Sequence, residues 1–150
     1  MRIEFTLNGR IRNFEVRNGE YLLETLRKNN ILSVRKGCDS TTCGVCTVLL
    51  DGKPVPSCSV LSVQAQHHHV TTVDGIAAEA EKLSLYFGKE GADQCGYCNP
   101  ALALVVYSMK QQNIPFSETE IENYLVGNLC RCSGYKSQQK AIAAYLEDKS

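Results

Sequence analysis

The chain has 150 residues, a length that suits one domain or two small ones. Its 16 Lys and Arg residues balance its 16 Asp and Glu residues, and the zero net charge argues against binding to nucleic acid or to an acidic membrane surface. The sequence has no apolar run near the ~20 residues that span a bilayer and no apolar signal-peptide core at its start, which predicts a cytoplasmic protein. Eight cysteines are its unusual feature, and in a reducing compartment closely spaced cysteines favour metal ligands or catalytic thiols over disulfides.

The first thirty residues predict a β-hairpin followed by a helix. Apolar residues alternate in the segment 2–8, and Asn8-Gly9 is a strong hairpin signal before a second strand at about 11–16. Apolar residues then recur at helical spacing from 21 to 26, until Asn29-Asn30 ends the pattern. We therefore expect one short helix packed across a sheet.

A polar loop with three cysteines follows, and a fourth cysteine comes after eleven intervening residues. The four are Cys38, Cys43, Cys46 and Cys58. They have the C-x4-C-x2-C…C spacing of a plant-type ferredoxin, which holds a 2Fe-2S cluster. Such a cluster with four thiolates is negatively charged, so backbone N–H groups must offset its charge, and Gly37 and Gly44 let amides turn toward sulfur.

The segment after this loop predicts two more strands. CTVLLDG at 46–52 and HVTTVDG at 69–75 both resemble strands that end in Asp-Gly turns, and Pro54 and Pro56 between them restrict continuous pairing. We expect residues 1–75 to form a small α+β unit, with a domain boundary near Gly75.

Residues 76–150 predict an all-helical second unit of about four helices. The first helix is expected near 79–87, and the second begins at Asn99-Pro100, with Asn as N-cap and Pro at N1. A capping box at Ser117-x-x-Glu120 predicts the third, and an apolar stripe at 136–147 predicts the last.

The second unit contains the other four cysteines as two close pairs. They are Cys95, Cys98, Cys130 and Cys132. Residues i and i+2 point apart on a helix but share a side in an extended segment. We therefore expect Cys130 and Cys132 to lie in a turn between helices, directed at one cluster. Zinc remains an alternative here, because two Cys pairs can form a closed tetrahedral site.

Three segments together resemble one known family. The likeness is carried by GCDSTTCGVCTVLLDGKPVPSC, DQCGYCNPA and VGNLCRCSGY, in this order and spacing. They are similar to the small iron-sulfur subunit of the molybdenum hydroxylases, the xanthine dehydrogenase and aldehyde oxidoreductase family. The resemblance includes all eight cysteines and covers nearly the whole chain. It implies an α+β fold in which a ferredoxin-like β-grasp domain precedes a four-helix domain, each with one 2Fe-2S cluster.

The resemblance also implies partners and a role. A large subunit would carry molybdenum on molybdopterin, a medium subunit would carry FAD, and the hetero-oligomer would act on a purine, another N-heterocycle or an aldehyde. This chain would have no catalytic residue of its own. It would relay electrons from the pterin through the C-terminal cluster and then the N-terminal cluster to FAD. Gln94 and Cys132 stand at the positions that contact the pterin in the family.

The chain departs from the family pattern in two places. Asn99 and Ala101 replace the residues of the usual CGxCTPG, which leaves the helix start intact. Thr41 and Thr42 occupy the stretch where the family usually has a Gly between its first two cysteines. If that position needs a positive φ, the loop must differ locally.

Other interpretations compete with this one. Consecutive imidazoles alternate direction in a strand, so His67, His68 and His69 are expected to be solvated and not to bind one metal. Arg35 and Lys36 are expected to be a solvated basic pair, and Tyr97 is expected to pack at an interface. For the whole chain the alternatives are a zinc-bound interaction module, a stand-alone ferredoxin with a helical extension, or a disulfide-stabilised secreted domain.

Overall fold

The computed structural model of the protein describes residues 1–114 and 116–148. Pro115 and residues 149–150, which fall inside the predicted helical unit, lie outside the described residues. In chain order the strands are β1 (Arg2–Leu7), β2 (Arg10–Glu15), β3 (Thr47–Leu50), β4 (Lys53–Pro56) and β5 (His69–Thr71). The helices are α1 (Leu22–Lys28), α2 (Ala77–Lys89), α3 (Asn99–Gln111), α4 (Glu118–Leu125) and α5 (Lys136–Glu147). Short 3-10 turns cover 57–59, 62–65 and 73–76.

The strands form one mixed sheet in the order β2-β1-β5-β3-β4. The predicted hairpin of β1 and β2 is confirmed, with Asn8 and Gly9 at φ 49° and 79° as its turn. β5 then pairs parallel to β1 and antiparallel to β3. Apolar residues of the sheet and of α1 share one buried cluster, in which the rings of Phe5 and Phe14 stack 4.3 Å apart. The α+β fold predicted from the sequence is confirmed.

Two details of the predicted strands are wrong. We expected Pro54 and Pro56 to restrict pairing, yet β4 pairs with β3 along its whole length. β4 is an edge strand, and its prolines are two residues apart, so their missing N–H groups are on the side of the strand that faces away from β3. The strand predicted at 69–75 ends at Thr71, and Asp74-Gly75 lies in a 3-10 turn that leads into α2.

The helical part contains the four predicted helices, α2 to α5. α3 lies at their centre and is buried along most of its length, and Leu49 of β3 joins the same apolar cluster. Ser117 caps α4 as expected by accepting a hydrogen bond from the backbone N–H of Glu120. The N-cap of α3 is Cys98, one residue before the predicted Asn99, so the helix begins directly after a cysteine. In the described part of the chain, none of the helices could cross a membrane.

Candidate iron-sulfur centres

The first four cysteines meet at one end of the sheet. Cys38, Cys43 and Cys46 lie in the loop between α1 and β3, and Cys58 lies in the 3-10 turn after β4. Ser57 fixes this turn against the loop, because its backbone N–H and its hydroxyl both donate to the carbonyl oxygen of Cys46, at 3.3 and 2.7 Å. The β3–β4 hairpin thus brings the fourth cysteine to the other three.

The sulfurs of this first centre associate in pairs, Cys38 with Cys43 and Cys46 with Cys58. Backbone N–H groups of the loop, that of Cys43 first, lower the pKa of Cys38 to about 6. Burial and then the neighbouring sulfur of Cys46 raise the pKa of Cys58 to about 12. The loop therefore directs amide donors at sulfur, as the sequence predicted. A bound cation would stabilise the ionised form of thiols that are buried close to one another.

The residue that replaces the expected glycine adopts the glycine-like conformation. Thr41 has φ 56°, a region that β-branched residues rarely occupy. Its hydroxyl donates to the carbonyl oxygen of Ser40 at 2.7 Å, and the hydroxyls of Ser40 and Thr42 are 3.0 Å apart. The loop keeps a positive φ at this position despite the change from Gly, so the local difference that we considered is absent and Thr41 carries backbone strain instead.

The other four cysteines meet at the start of α3. Cys95 and Cys98 precede that helix, and Cys130 and Cys132 lie in the turn between α4 and α5, as expected. The sulfurs of Cys95 and Cys132 are 3.6 Å apart and both residues are exposed, whereas Cys98 pairs with Cys130 further inside. Exposed Gln94 adjoins the outer pair.

The inner and outer sulfurs of this second centre have different surroundings. Burial raises the pKa of Cys98 to about 11. The buried side chain of Gln138 donates from Nε2 to the sulfur of Cys98 at 3.9 Å. At the outer pair, the backbone N–H of Tyr97 donates to the sulfur of Cys95 at 3.5 Å. Each pair thus has a neutral amide donor beside it.

The paired sulfurs fit a binuclear iron core. A tetrahedral metal with metal–sulfur bonds of about 2.3 Å holds two sulfurs roughly 3.8 Å apart, close to the separation of Cys95 and Cys132. A 2Fe-2S core takes four thiolates, and two pairs per centre supply them. Within residues 1–114 and 116–148, no three or more His, Cys, Asp or Glu side chains form a ligand group for a single metal ion.

The two cysteine centres touch through their backbones. The backbone N–H of Leu129 donates to the carbonyl oxygen of Cys43 at 2.9 Å, and the side-chain Nδ2 of Asn128 donates to the carbonyl oxygen of Gly44 at 3.3 Å. Gly44 has φ 68°, and a Cβ there would overlap the carbonyl oxygen of Gly127. Glycine is therefore required at this position both by the positive φ and by the close approach of Gly127. The sequence did not indicate the close approach.

Arg35 and Tyr97 join the two centres, and Tyr97 packs between them as expected. Arg35 is not a solvated cation: its Nη1 donates to the carbonyl oxygen of Gly96 at 2.6 Å, and its guanidinium lies 5.2 Å from the ring centre of Tyr97. The hydroxyl of Tyr97 donates to the carbonyl oxygen of Lys36 at 2.8 Å. Nothing in the sequence pattern indicated this contact, because the two segments are sixty-one residues apart.

The histidines at the start of β5 do not converge on a metal. His67, His68 and His69 are exposed, and His68 pairs through Nδ1 with Asp51 at 2.5 Å. The backbone N–H of His69 and the His68 side chain lower the pKa of Asp51. The expectation that these residues are solvated is confirmed.

Fold and site together define a protein of two 2Fe-2S-binding domains, the first of ferredoxin type. Residues 5–72 match the family model of the 2Fe-2S iron-sulfur cluster binding domain, and residues 72–143 match that of the 2Fe-2S binding domain. The chain belongs to the family of iron-sulfur small subunits of molybdenum hydroxylase-type oxidoreductases.

Relatives and solved structures show how far the similarity extends. The chain is 41% identical to the xanthine dehydrogenase iron-sulfur-binding subunit of Escherichia coli O157:H7, over 89% of this chain and 87% of that one. It is 35% identical to the nicotinate dehydrogenase small FeS subunit of Eubacterium barkeri, over 97% and 94% of the two chains. A chain of quinoline 2-oxidoreductase from Pseudomonas putida 86 superimposes with a TM-score of 0.89 at 36% identity, covering 98% of this chain and 94% of that chain.

Proposed function

We propose that this chain relays electrons from a molybdopterin site on a large partner subunit, through two 2Fe-2S clusters, to FAD on a medium subunit. The observation that carries the proposal is the hydrogen bond from Leu129 N–H to the carbonyl oxygen of Cys43, which joins the two cysteine centres. When bound, the clusters supply one-electron carriers. The chain's own residues hold them, shield them and fix their separation.

We assign all eight cysteines as ligands. The N-terminal cluster would be held by Cys38, Cys43, Cys46 and Cys58, and the C-terminal cluster by Cys95, Cys98, Cys130 and Cys132. Support comes from the pairing of the sulfurs within each set and from the amide donors that face them. We also propose a domain boundary near Gly75, since residues 3–70 and residues 76–145 contribute to separate apolar clusters, with Leu49 as the exception.

The two centres face different partners in this proposal. Gln94, Cys95 and Cys132 are exposed together, and a side-chain amide that both donates and accepts can match a pterin edge without adding charge. We place the molybdopterin subunit there, with Gln94 and Cys132 as its contacts. On the other centre, an open cavity of about 470 Å³ lies beside Cys38 and Cys58. We place the FAD subunit over that cavity.

The substrate of the whole assembly follows from its relatives and not from this chain. Relatives and structural neighbours are named for xanthine, nicotinate, quinoline and aldehydes. We propose a purine, another N-heterocycle or an aldehyde, bound on the large subunit. No residue of this chain would touch the substrate.

Metal analysis and electron paramagnetic resonance (EPR) test the ligand assignment. The anaerobically purified chain should contain about four irons and four sulfides and, once reduced, give two distinct 2Fe-2S signals. Cys43→Ser should remove or alter the N-terminal signal and Cys98→Ser the C-terminal signal, each leaving the other. A single wild-type signal, or zinc in place of iron, would refute the assignment.

Turnover of the assembled complex tests the pterin contact. Gln94→Ala should slow reduction of the C-terminal cluster by substrate while both EPR signals and the iron content stay unchanged. Gln66→Ala, an equivalent change at an exposed residue of the N-terminal unit, is the matched control. Equal reduction rates in the two variants would contradict the placement of the pterin at Gln94.

A further inference from the structure

Arg35 belongs to the N-terminal unit but contacts the second centre. It lies three residues before Cys38 in sequence, yet its Nη1 donates at 2.6 Å to the carbonyl oxygen of Gly96, the residue after Cys95. Its guanidinium also lies 5.2 Å from the ring centre of Tyr97. A charged group from one unit thus sits within the cysteine loop of the other.

The carbonyl oxygen that Arg35 holds is part of a peptide group that also faces sulfur. The C=O of Gly96 and the N–H of Tyr97 are two ends of one amide, and this N–H donates to the sulfur of Cys95 at 3.5 Å. A cation on the oxygen of an amide polarises it and makes its N–H a stronger donor. Arg35 is therefore linked to Cys95 through a chain of two hydrogen bonds.

Tyr97 holds this arrangement in place. Its ring lies under the guanidinium, and its hydroxyl donates at 2.8 Å to the carbonyl oxygen of Lys36, the residue next to Arg35. The segment 35–36 and the segment 96–97 thus contact each other at three points: a charge-assisted hydrogen bond, a cation–π contact and a hydroxyl hydrogen bond. Such a contact orients the guanidinium, because its planar donors must satisfy the carbonyl while it stacks on the ring.

We propose that Arg35 is a positioning residue for the second centre. Arg35 raises the reduction potential of the C-terminal cluster through the Gly96–Tyr97 peptide group. The inference rests on the proposed role of Cys95 as a cluster ligand. Hydrogen bonds to the ligand sulfurs and the local charge are among the terms that set the potential of such clusters. Reduction adds negative charge, so a cation and a strengthened N–H donor both stabilise the reduced form.

The consequence is that the N-terminal unit controls how electrons divide between the two centres. Docking of the units brings Arg35 to Gly96 and raises the potential of the cluster that receives electrons first in the proposed relay. Without Arg35, an electron would reside less on the C-terminal cluster. We expect the equilibrium constant for electron distribution between the clusters to change about tenfold, which corresponds to about 59 mV for a one-electron step.

The test is an EPR-monitored reductive titration of the full chain with both clusters, without any partner subunit. Arg35→Met removes the charge and the donor, Arg35→Gln keeps a neutral donor, and Arg35→Lys keeps the charge without the planar fork. We expect the midpoint of the C-terminal signal to fall in R35M, to fall less in R35Q and R35K, and the N-terminal midpoint to move less than the C-terminal one in all three.

Two controls separate this role from a general charge or folding effect. Arg12→Gln removes the same charge from β2, where the guanidinium lies 5.5 Å from the ring centre of Phe14. It should leave the difference between the two midpoints unchanged. Tyr97→Phe keeps the ring and the N–H to Cys95 but removes the hydroxyl bond to Lys36. It should lower the C-terminal midpoint less than R35M does.

The outcomes distinguish this inference from the proposed function. If the wild-type chain gives two 2Fe-2S signals but R35M and R35Q leave the midpoint difference unchanged, only the role of Arg35 is refuted. An equal fall of both midpoints in R35M would also refute it. If R35M does not retain iron, R35Q and R35K decide the question by the same criterion. If the wild type lacks the second signal, the ligand assignment itself fails, and the inference falls with it.

Discussion

The backbone carbonyl of Cys43 accepts a 2.9 Å hydrogen bond from the backbone N–H of Leu129. Leu129 directly precedes Cys130, so one hydrogen bond and a few covalent bonds connect a cysteine of each centre. The contact needs close packing of two loops, one from each unit, and it depends on the absence of a side chain at Gly44.

Gly44→Ala should separate the two loops. Its Cβ would overlap the carbonyl oxygen of Gly127, and the residue has φ 68°. We expect the free energy of unfolding to fall by about 2–4 kcal/mol, from steric overlap together with the cost of a left-handed non-glycine residue. Urea unfolding of the purified chain measures it.

Gly52→Ala is the matched control for that prediction. Gly52 also has a positive φ, 80°, but no atom lies within 4 Å of where its Cβ would be. The free energy of unfolding of this variant should fall by only about 1–2 kcal/mol, because only the conformational cost applies. Equal losses in the two variants would show that the contact with Gly127 does not limit the approach of the loops.

Thr41→Gly should stabilise the first cysteine loop. Thr41 has φ 56°, which strains a β-branched residue but not glycine. We expect a gain of about 0.5–1 kcal/mol, because the relief of strain exceeds the larger entropy cost of ordering glycine. Chemical unfolding and the rate of iron release to a chelator measure it. Thr42→Gly, whose φ is not positive, should instead destabilise the loop.

Gln138→Leu should lower the potential of the C-terminal cluster. The change removes the amide that donates to the sulfur of Cys98 from a buried position. A lost hydrogen bond to sulfur disfavours the reduced form, and we expect a shift of about 30–60 mV, a threefold to tenfold change in the reduction equilibrium. An EPR-monitored titration reports it.

The neighbouring Gln139→Leu is the control for this hydrogen bond. Within the described residues, the Oε1 atom of Gln139 is buried without a hydrogen-bond partner. Its replacement should leave the potential unchanged and cost little stability, since an unsatisfied buried acceptor is removed. A potential that shifts equally in both variants would contradict a specific role for the Gln138 amide.

Glu20 should make the stability of the sheet depend on acid pH. Burial would raise the pKa of its carboxyl group, but hydrogen bonds from Lys28, Thr25 and Arg17 outweigh it and lower the pKa from 4.5 to about 2. A carboxyl with a lowered folded-state pKa contributes stability that is complete above pH 4.5 and is lost as the pH falls toward 2.

Glu20→Gln measures that contribution. We expect it to destabilise the chain by roughly 2–4 kcal/mol at pH 7, since each pKa unit corresponds to about 1.4 kcal/mol. The difference from wild type should shrink as the pH falls from 4.5 toward 2. Glu15→Gln, at an exposed position of β2, is the control. A difference that is constant across this range would contradict the ionised form of Glu20 in the fold.

Local patterns in the sequence were sufficient for the elements near each cysteine set. Asn8-Gly9 predicted the hairpin because its turn requires two positive φ angles, and Ser117 predicted the start of α4 because its hydroxyl accepts from the backbone three residues on. The wrong strand predictions concerned features that depend on where an element lies in the folded sheet. The sequence does not reveal that β4 is an edge strand, where Pro54 costs no sheet hydrogen bond.

The spacing of the cysteines by itself predicted two separate sets of four, because 36 residues without cysteine divide them and neighbours such as Cys43 and Cys46, or Cys95 and Cys98, need no long-range folding to meet. Only the tertiary structure decided which sulfurs pair, that Leu129 bonds to Cys43, and that Arg35 reaches Gly96. These contacts join segments 37, 86 and 61 residues apart, and the last two connect the N-terminal unit with the helical unit, where Leu49 of β3 shares the apolar cluster of α3. No local propensity encodes such contacts, because they form only when segments distant in sequence pack together.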